Sequence, residues 1–198
     1  MSGFARGEPA RERGPSADCS PVEGGLRALL AAREERAWLQ KYLLGAFSGL
    51  GSHCVAQISL NIPGWPKRLS GDERALRAGG SLFLRETADS ARPKAGFFLL
   101  NAAGAAIIWV LADAGDTVLV KERAVRIEEG PEWGRVLDID VITPVGPLSR
   151  PAAGIAARRC FLCGREAKVC ARTQAHPVRE LRGEARRLIR LASFEGGG

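Results

Sequence analysis

Two aspartates interrupt a run of strand-forming residues, and this short segment constrains the fold more than any other. It covers residues 134–142 and reads GRVLDIDVI. Val, Leu and Ile favour a buried strand, in which successive side chains point to opposite faces. Asp138 and Asp140 therefore lie on one face, and Leu137 and Ile139 lie on the other. The pattern predicts a core strand with two neighbouring carboxylates on one side.

The two carboxylates need a compensating charge or contact with water, because like charges repel and lose solvation on burial. A divalent cation is the usual compensation, and Mg²⁺ in proteins combines one or two carboxylates with phosphate oxygens and water. Arg135, at the entrance of the same strand, is suited to a phosphate. The segment predicts an Mg²⁺ site at Asp138 and Asp140 for phosphoryl or nucleotidyl transfer. The alternative is a solvated pair at a strand edge that has no function.

A second group of metal-ligating residues follows in the segment RRCFLCGREAKVCARTQAH, residues 158–176. Its candidate ligands are Cys160, Cys163, Cys170 and His176. A C-x2-C pair with a further thiol and an imidazole suits a tetrahedral Zn²⁺, and four protein ligands make such a site structural rather than catalytic. The alternative is a set of reduced, half-buried thiols that pack a helical hairpin. Cys19 and Cys54 have no such neighbours in the sequence.

The positive charge of the chain is concentrated in its C-terminal part. The formal net charge is +7, and residues 150–190 contain eleven Arg and Lys against three Glu. Such a region favours an anionic partner, namely phosphate groups, nucleic acid or an acidic protein surface, although a solvated helix face gives the same composition. Only Phe161 and Phe194 interleave with these cations, which counts against stacking on single-stranded nucleic acid.

The N-terminus and the cysteine content indicate a cytoplasmic protein. The first residues, MSGFARGEPARERGPSADCSP, contain no apolar core of a secretory signal. No apolar run approaches the roughly 18 residues that span a bilayer, so we expect no membrane association. Five cysteines are an odd number and argue against a disulfide framework.

The alternation of periodic segments predicts an α/β fold with a mixed sheet, or alternatively an α+β fold. We expect a disordered leader over residues 1–22, a single domain over 23–192 whose part 150–192 is basic and Cys-rich, and a frayed tail over 193–198. The predicted helices cover residues 25–47, a short segment from Asp72 to Gly79-Gly80, a segment capped by Asp116 and ended by Gly130, and residues 178–192. The predicted strands are residues 54–62, the pair 96–100 and 106–112, and the aspartate strand, which ends at the turn TPVGP.

Several of these segments together resemble the apo-citrate lyase phosphoribosyl-dephospho-CoA transferases, also called holo-(acyl-carrier-protein) synthases of citrate lyase. The main similarity is GRVLDIDVITPVGPLSR followed by ARRCFLCGREAKVCARTQAHPVREL. LLAAREERAWLQ resembles the family's Arg-Asp/Glu-x-Arg segment, and SLNIPGWPK resembles its Pro-Gly-x-x-Lys turn. The order and spacing agree over residues 29–181, which is most of the chain beyond the leader.

The resemblance implies a nucleotidyltransferase-like domain that attaches the prosthetic group of citrate lyase. Family members transfer phosphoribosyl-dephospho-CoA from 2'-(5''-triphosphoribosyl)-3'-dephospho-CoA to a serine of the apo acyl-carrier subunit, and diphosphate leaves. Asp138 and Asp140 would then hold Mg²⁺ against the triphosphate, and one of them would help to deprotonate the serine. The basic C-terminal region would dock the carrier subunit, because carrier domains of this type are usually acidic.

Six basic residues are candidates for binding the phosphates of this substrate. They are Arg135, Lys67, Arg33, Arg36, Arg150 and Arg158. Arg suits bidentate contacts with phosphate oxygens. The alternative for Arg33 and Arg36 is a surface pairing with Glu34 and Glu35, and the alternative for Lys67 is a solvated turn.

The chain departs from the family pattern at two places, and other functions stay open. The turn NAAGAA replaces a Gly-Pro-Glu turn, and AARRC replaces Pro-Pro-Arg-x-Cys. The lost glutamate would matter if it supported the metal or the substrate. The alternatives are a zinc-stabilised nucleic-acid-binding module, a non-catalytic descendant of the enzyme, and the analogous transferase for malonate decarboxylase; the cysteine segment favours the citrate lyase branch.

Overall fold

A five-stranded sheet is the centre of the computed structural model, which describes residues 21–195. The strands are β1 (His53–Leu60), β2 (Arg92–Asn101), β3 (Gly104–Ala112), β4 (Leu137–Thr143) and β5 (Gly146–Leu148). The helices are α1 (Pro21–Ala46), α2 (Asp72–Thr87), α3 (Thr117–Glu129), α4 (Ala167–Arg172) and α5 (Val178–Glu195). Helices, strands and a Cys/His cluster in the C-terminal region therefore occur as predicted.

The sheet is antiparallel throughout, so the mixed sheet that we expected is wrong and the α+β alternative describes the fold. The strand order is β2-β3-β1-β4-β5, and every neighbouring pair is antiparallel. The helical connections explain the difference. The connection through α2 leads from β1 to β2, and the connection through α3 leads from β3 to β4. In each case a third strand lies between the two strands that the helix connects, and this strand is antiparallel to both. The strands that a helix connects are therefore not neighbours in the sheet.

The two faces of the sheet carry cores of different size. The larger core joins one face to α2, α3 and α5, and it includes Leu137 and Ile139 of β4. The smaller core joins the other face to α1 through Leu43, Val55 and Ile142. Each fully buried Val, Leu or Ile contributes about 1.5–3 kcal/mol relative to an exposed side chain. Leu43 lies near the end of α1, so the small core holds only the last turns of this helix on the sheet.

Most of the predicted elements are confirmed. The strands from GFFLL and AIIWVLA pair as β2 and β3. The Asp116 carboxylate accepts hydrogen bonds from the backbone N–H groups of Val118 and Leu119 and caps α3, which ends at Gly130. Of the predicted leader, only Pro21 and Val22 lie in the described part, where they begin α1. The helix α5 extends to Glu195, beyond the predicted start of the tail; residues 196–198 and Cys19 lie outside the described residues.

The pair Gly79-Gly80 does not end α2, as we had predicted, but lies in its middle. A Cβ on Gly79 would lie 2.5 Å from Leu137 Cδ2, and a Cβ on Gly80 would lie 2.9 Å from Ile107 Cδ1. The two glycines therefore let the helix approach the sheet closely, just before Asp138.

Within residues 21–195, no helix combines the length and the apolar character needed to cross a bilayer.

We expect Gly79→Ala to lower the free energy of unfolding by about 1–3 kcal/mol, because the added methyl group overpacks the contact with Leu137. Gly183→Ala is the matched control, since Gly183 lies within α5 and, apart from its chain neighbours and the backbone of its own helix, no described atom lies within 4 Å of its Cβ position. The control should raise the free energy of unfolding by up to about 1 kcal/mol. Urea denaturation measures both. Equal stability of the two variants would contradict the proposed close approach.

Candidate active site

Asp138 and Asp140 project from the same face of β4, as predicted, and this is the face that α1 covers. Register places Ser59 of β1 opposite Asp138 and Gln57 opposite Asp140. On this face, the next apolar pair towards the start of β1 is Val55 with Ile142, and it belongs to the small core. This face of the sheet is thus apolar around Val55 and polar around Gln57 and Ser59. Gln57 and Ser59 were not among the predicted site residues, although QIS in β1 alternates polar and apolar residues as DID does in β4.

A cleft of about 280 Å³ opens over the polar side of this face. It brings together five of the predicted site residues: Arg33, Arg36, Lys67, Asp138 and Asp140. The first two come from α1, Lys67 comes from the loop after β1, and the aspartates come from β4. Three cations and two carboxylates from separate parts of the chain therefore line one cleft.

Asp140 lines the cleft and is exposed to solvent. Partial loss of solvation is the main cause that raises the pKa of Asp140 to about 6, and the negative charge of Asp138 adds to it. The positive charge of Lys121 acts in the opposite direction. Asp140 is therefore mostly ionised at neutral pH, and it takes up a proton as the pH falls through about 6. A group with this pKa suits the exchange of protons with a substrate.

Arg36 joins α1 to the turn between β2 and β3. Its Nη2 donates to the carbonyl oxygen of Gly104 at 2.6 Å and to Asn101 Oδ1 at 3.2 Å. Its buried Nε has no hydrogen-bond partner within the described residues. The turn is the NAAG segment that departs from the family pattern, and its Ala103 lines the cleft. Arg36 is thus a buried part of the cleft wall rather than a member of a surface ion pair.

Lys67 lies at one end of the cleft, and its ammonium donates to the carbonyl oxygen of Ile62 at 2.7 Å. Burial, followed by the positive charges of Arg33 and Arg182, lowers the pKa of Lys67. Arg33 is exposed, and it makes no ion pair or side-chain hydrogen bond within residues 21–195. The cations on this side of the cleft repel one another, so an anion bound between them would relieve the repulsion.

Two residues of α3, Lys121 and Glu128, hold the edge of β4 and were missed by sequence analysis. Both are buried. Lys121 Nζ donates to the carbonyl oxygen of Ile139 at 2.7 Å, and the N–H of Ile139 donates to Glu128 Oε1 at 2.7 Å. The signal was present, because Lys121 and Glu128 lie seven residues apart on a helix face that also carries Ala124 and Val125. A charge on such a face points to a partner in the core.

Three of the predicted phosphate-binding arginines lie outside the cleft. Arg150 pairs with both Glu128 and Glu129, and Arg135 donates to the carbonyl oxygen of Cys160. Arg158 connects the two regions, because its Nη2 lies 2.5 Å from Glu128 Oε1 and 3.3 Å from Asp138 Oδ1. All three line a separate depression of about 600 Å³. Arg135 and Arg150 therefore bind other groups of the protein. Of these three arginines, only Arg158 contacts one of the two aspartates.

The predicted zinc ligands also come together. The ligand atoms of Cys160, Cys163, Cys170 and His176 all lie within 4.8 Å of one another. Cys163 Sγ lies 3.5 Å from Cys170 Sγ and 3.3 Å from His176 Nε2. Ligands of a tetrahedral zinc lie about 3.3–3.8 Å apart when Zn–S is about 2.3 Å. Three thiols and an imidazole at these distances fit a structural zinc.

The thiols of this cluster differ in acidity. Hydrogen bonds from the backbone of Arg165 and from His176 lower the pKa of Cys163 to about 6, so that it is a thiolate at neutral pH. Burial raises the pKa of Cys170 to about 11. A thiolate with a neighbouring imidazole is the donor set that zinc prefers.

Comparison with known proteins gives consistent matches. The model of a family described as apo-citrate lyase phosphoribosyl-dephospho-CoA transferase matches residues 25–191. A probable apo-citrate lyase phosphoribosyl-dephospho-CoA transferase of Streptococcus pyogenes is 30% identical over 172 residues, 83% of this chain and 84% of the relative. One of Vibrio cholerae with the same description is 27% identical over 157 residues, 79% and 83% of the two chains. Protein CitXG of Leuconostoc mesenteroides is 30% identical over 165 residues, 80% of this chain, which spans only 34% of that protein.

Proposed function

Because the chain belongs to the apo-citrate lyase phosphoribosyl-dephospho-CoA transferase family, we propose that it attaches phosphoribosyl-dephospho-CoA to a serine of the apo acyl-carrier subunit of citrate lyase. The donor is 2'-(5''-triphosphoribosyl)-3'-dephospho-CoA, and diphosphate leaves. The observation that carries this proposal is the cleft in which Asp138 and Asp140 face Arg33, Arg36 and Lys67. The family description favours the citrate lyase carrier over that of malonate decarboxylase.

The transfer is a displacement at phosphorus. The serine Oγ forms a bond to the α-phosphorus of the triphosphate, the bond from that phosphorus to the bridging oxygen breaks, and the bridging oxygen leaves with diphosphate. The serine proton goes to a base in the cleft. One of the two aspartates that line the cleft is our candidate for this base. Most of the catalysis in such reactions comes from positioning and from compensation of negative charge.

The cleft offers cations for the charge on the triphosphate. Arg33 has unused donors, and Arg36 adds a positive charge from within the cleft wall. Lys67 contributes a compact positive charge at the far end. Charges aimed at the leaving diphosphate stabilise it more in the transition state than in the bound donor, and this lowers the barrier.

Asp138 and Asp140 fit a divalent cation, because two carboxylates on one strand face beside a cationic phosphate site form an oxygen donor set. Mg²⁺, when bound there, would supply charge neutralisation on the triphosphate. Lys121 and Glu128 act as positioning residues, since they fix the backbone of Ile139 between the two aspartates. Arg158 also positions Asp138, through the ion pair between its Nη2 and Asp138 Oδ1.

The carrier subunit would dock near the exposed side of α5. Arg179, Arg186 and Arg190 are exposed and follow one another at helical spacing. They form no ion pair within the described residues. A face of this kind suits an acidic partner protein, whose approach it would accelerate by electrostatic attraction.

The direct test is transfer to purified apo carrier subunit with the triphosphoribosyl donor and Mg²⁺, followed by intact mass. We expect one adduct on a carrier serine with release of diphosphate. Asp138→Asn and Asp140→Asn should each lower the rate about 100-fold or more, because each removes a carboxylate that would hold the cation on the triphosphate. The matched control is Asp113→Asn, the same chemical change at an exposed residue outside the cleft.

The control should retain a rate within twofold of the unaltered protein, and circular dichroism should show that all three variants are folded. Transfer at the normal rate by both cleft variants would contradict the assigned roles. Absence of an adduct with the unaltered, zinc-loaded protein would contradict the proposed function itself.

We further propose that the Cys/His cluster binds one structural Zn²⁺, on the strength of its four ligand atoms within 4.8 Å. Cys163→Ser should lower the zinc content from one per chain to near zero, measured by elemental analysis after purification without added metal. Cys54→Ala is the matched control, because Cys54 is buried in the main core and away from the cluster. Equal zinc content in the two variants, or none in the unaltered protein, would contradict this site.

A further inference from the structure

A second cavity, of about 730 Å³, adjoins the aspartate cleft. It lies between the loop after β1, the Cys/His cluster, α4 and the beginning of α5. The cleft and this cavity share Asn61, Ile62 and Lys67, so they meet at the loop after β1. A ligand that extends from the aspartates past Lys67 would therefore enter this second cavity, which we call the side cavity.

The walls of the side cavity are fixed by contacts that do not need a ligand. Arg182 of α5 donates from Nη1 to the carbonyl oxygens of Pro63 at 2.8 Å and Pro66 at 2.9 Å. These hydrogen bonds tie the loop after β1 to α5. Three members of the Cys/His cluster form another part of the wall. The cavity is therefore preformed, as ligand sites usually are.

The lining combines apolar side chains with unused positive charges. Ile62, Phe161 and Leu181 supply much of the apolar surface. Arg159 and Lys168 also line the cavity, and both are exposed. Neither makes an ion pair or a side-chain hydrogen bond within residues 21–195, and no carboxylate of the described residues lines the cavity. Such a lining suits a ligand with aromatic, apolar and anionic parts.

We propose that the side cavity binds the dephospho-CoA part of the donor while the triphosphate lies in the aspartate cleft. This inference rests on the proposed function, because it assigns a subsite to the same substrate. Dephospho-CoA contains an adenine ring, a diphosphate and a long pantetheine arm. Phe161 offers a ring for stacking on adenine, Arg159 and Lys168 offer charges for the diphosphate, and the apolar wall accepts the arm.

The size and position of the side cavity support this assignment. Its volume falls within the range of about 300–1,000 Å³ typical of small-molecule sites, whereas the aspartate cleft, at about 280 Å³, is too small for the whole donor. In the donor, the triphosphoribosyl group and dephospho-CoA are joined through a ribose. Two adjoining sites that meet at Lys67 match this two-part molecule. Binding of the non-reacting part would position the triphosphate for attack.

Dephospho-CoA itself is the probe, because it lacks the triphosphoribosyl group and tests the side cavity alone. We expect it to bind the zinc-loaded full chain in isothermal titration calorimetry. The double variant Arg159→Glu with Lys168→Glu should weaken this binding at least tenfold. The control is Arg172→Glu, because Arg172 is an exposed residue of α4 that does not line the cavity. The control should bind within twofold of the unaltered protein.

A conservative double variant, Arg159→Lys with Lys168→Arg, separates loss of charge from loss of fold. It should restore binding to within about threefold, and zinc content and circular dichroism should be unchanged in all variants. The charge-reversed double variant should also raise the KM for the donor at least tenfold and change kcat by less than threefold. Unchanged dephospho-CoA affinity and unchanged KM in that variant would overturn the inference, as would failure of the unaltered protein to bind dephospho-CoA.

The two proposals can fail separately in these experiments. If the unaltered protein binds dephospho-CoA through Arg159 and Lys168 but forms no adduct on the carrier, the proposed function is wrong and the side cavity assignment stands. If it forms the adduct while the charge-reversed variant keeps its affinity and its KM, the assignment is wrong and the proposed function stands.

Discussion

The pairing of β1 with β4 is the constraint on which the site depends. Its register aligns Val55 with Ile142, Gln57 with Asp140, and Ser59 with Asp138, so one face of the sheet changes from apolar to polar along two neighbouring strands. The apolar part holds the last turns of α1, around Leu43. The earlier turns of the same helix then reach over the polar part and bring Arg33 and Arg36 to the cleft. A shift of the β1–β4 register by one residue would turn both aspartates into the larger core.

The edge of β4 is the second requirement. Within the described residues, β5 pairs only with Val141–Thr143, so the backbone around Ile139 has no strand partner on that side. Lys121 and Glu128 supply the missing hydrogen bonds, and the carboxylate of Glu128 also forms ion pairs with Arg150 and Arg158. Buried charges of this kind are stable only when each has a partner. The same network therefore completes the sheet and fixes the position of the two aspartates.

Local patterns in the sequence were sufficient for the features that depend on local chemistry. Alternation in LDIDV predicted that Asp138 and Asp140 share a face, and cysteine spacing predicted which residues meet in the Cys/His cluster. Features that depend on distant contacts were not predicted. Gly79-Gly80 was interpreted as a helix end because the approach of α2 to Leu137 is invisible in sequence. Arg150 was considered a substrate ligand because its partners, Glu128 and Glu129, lie more than 20 residues away.

The proposed transfer depends on one divalent cation held between Asp138 and Asp140. Electron paramagnetic resonance of Mn²⁺, used in place of Mg²⁺, measures the free ion and, by difference, the ions bound to the protein with zinc already loaded. In the absence of phosphates, which themselves chelate Mn²⁺, we expect one Mn²⁺ per chain and at least tenfold weaker binding when either aspartate becomes asparagine. Equal Mn²⁺ affinity in the unaltered protein and in the doubly substituted protein would contradict the proposed cation site.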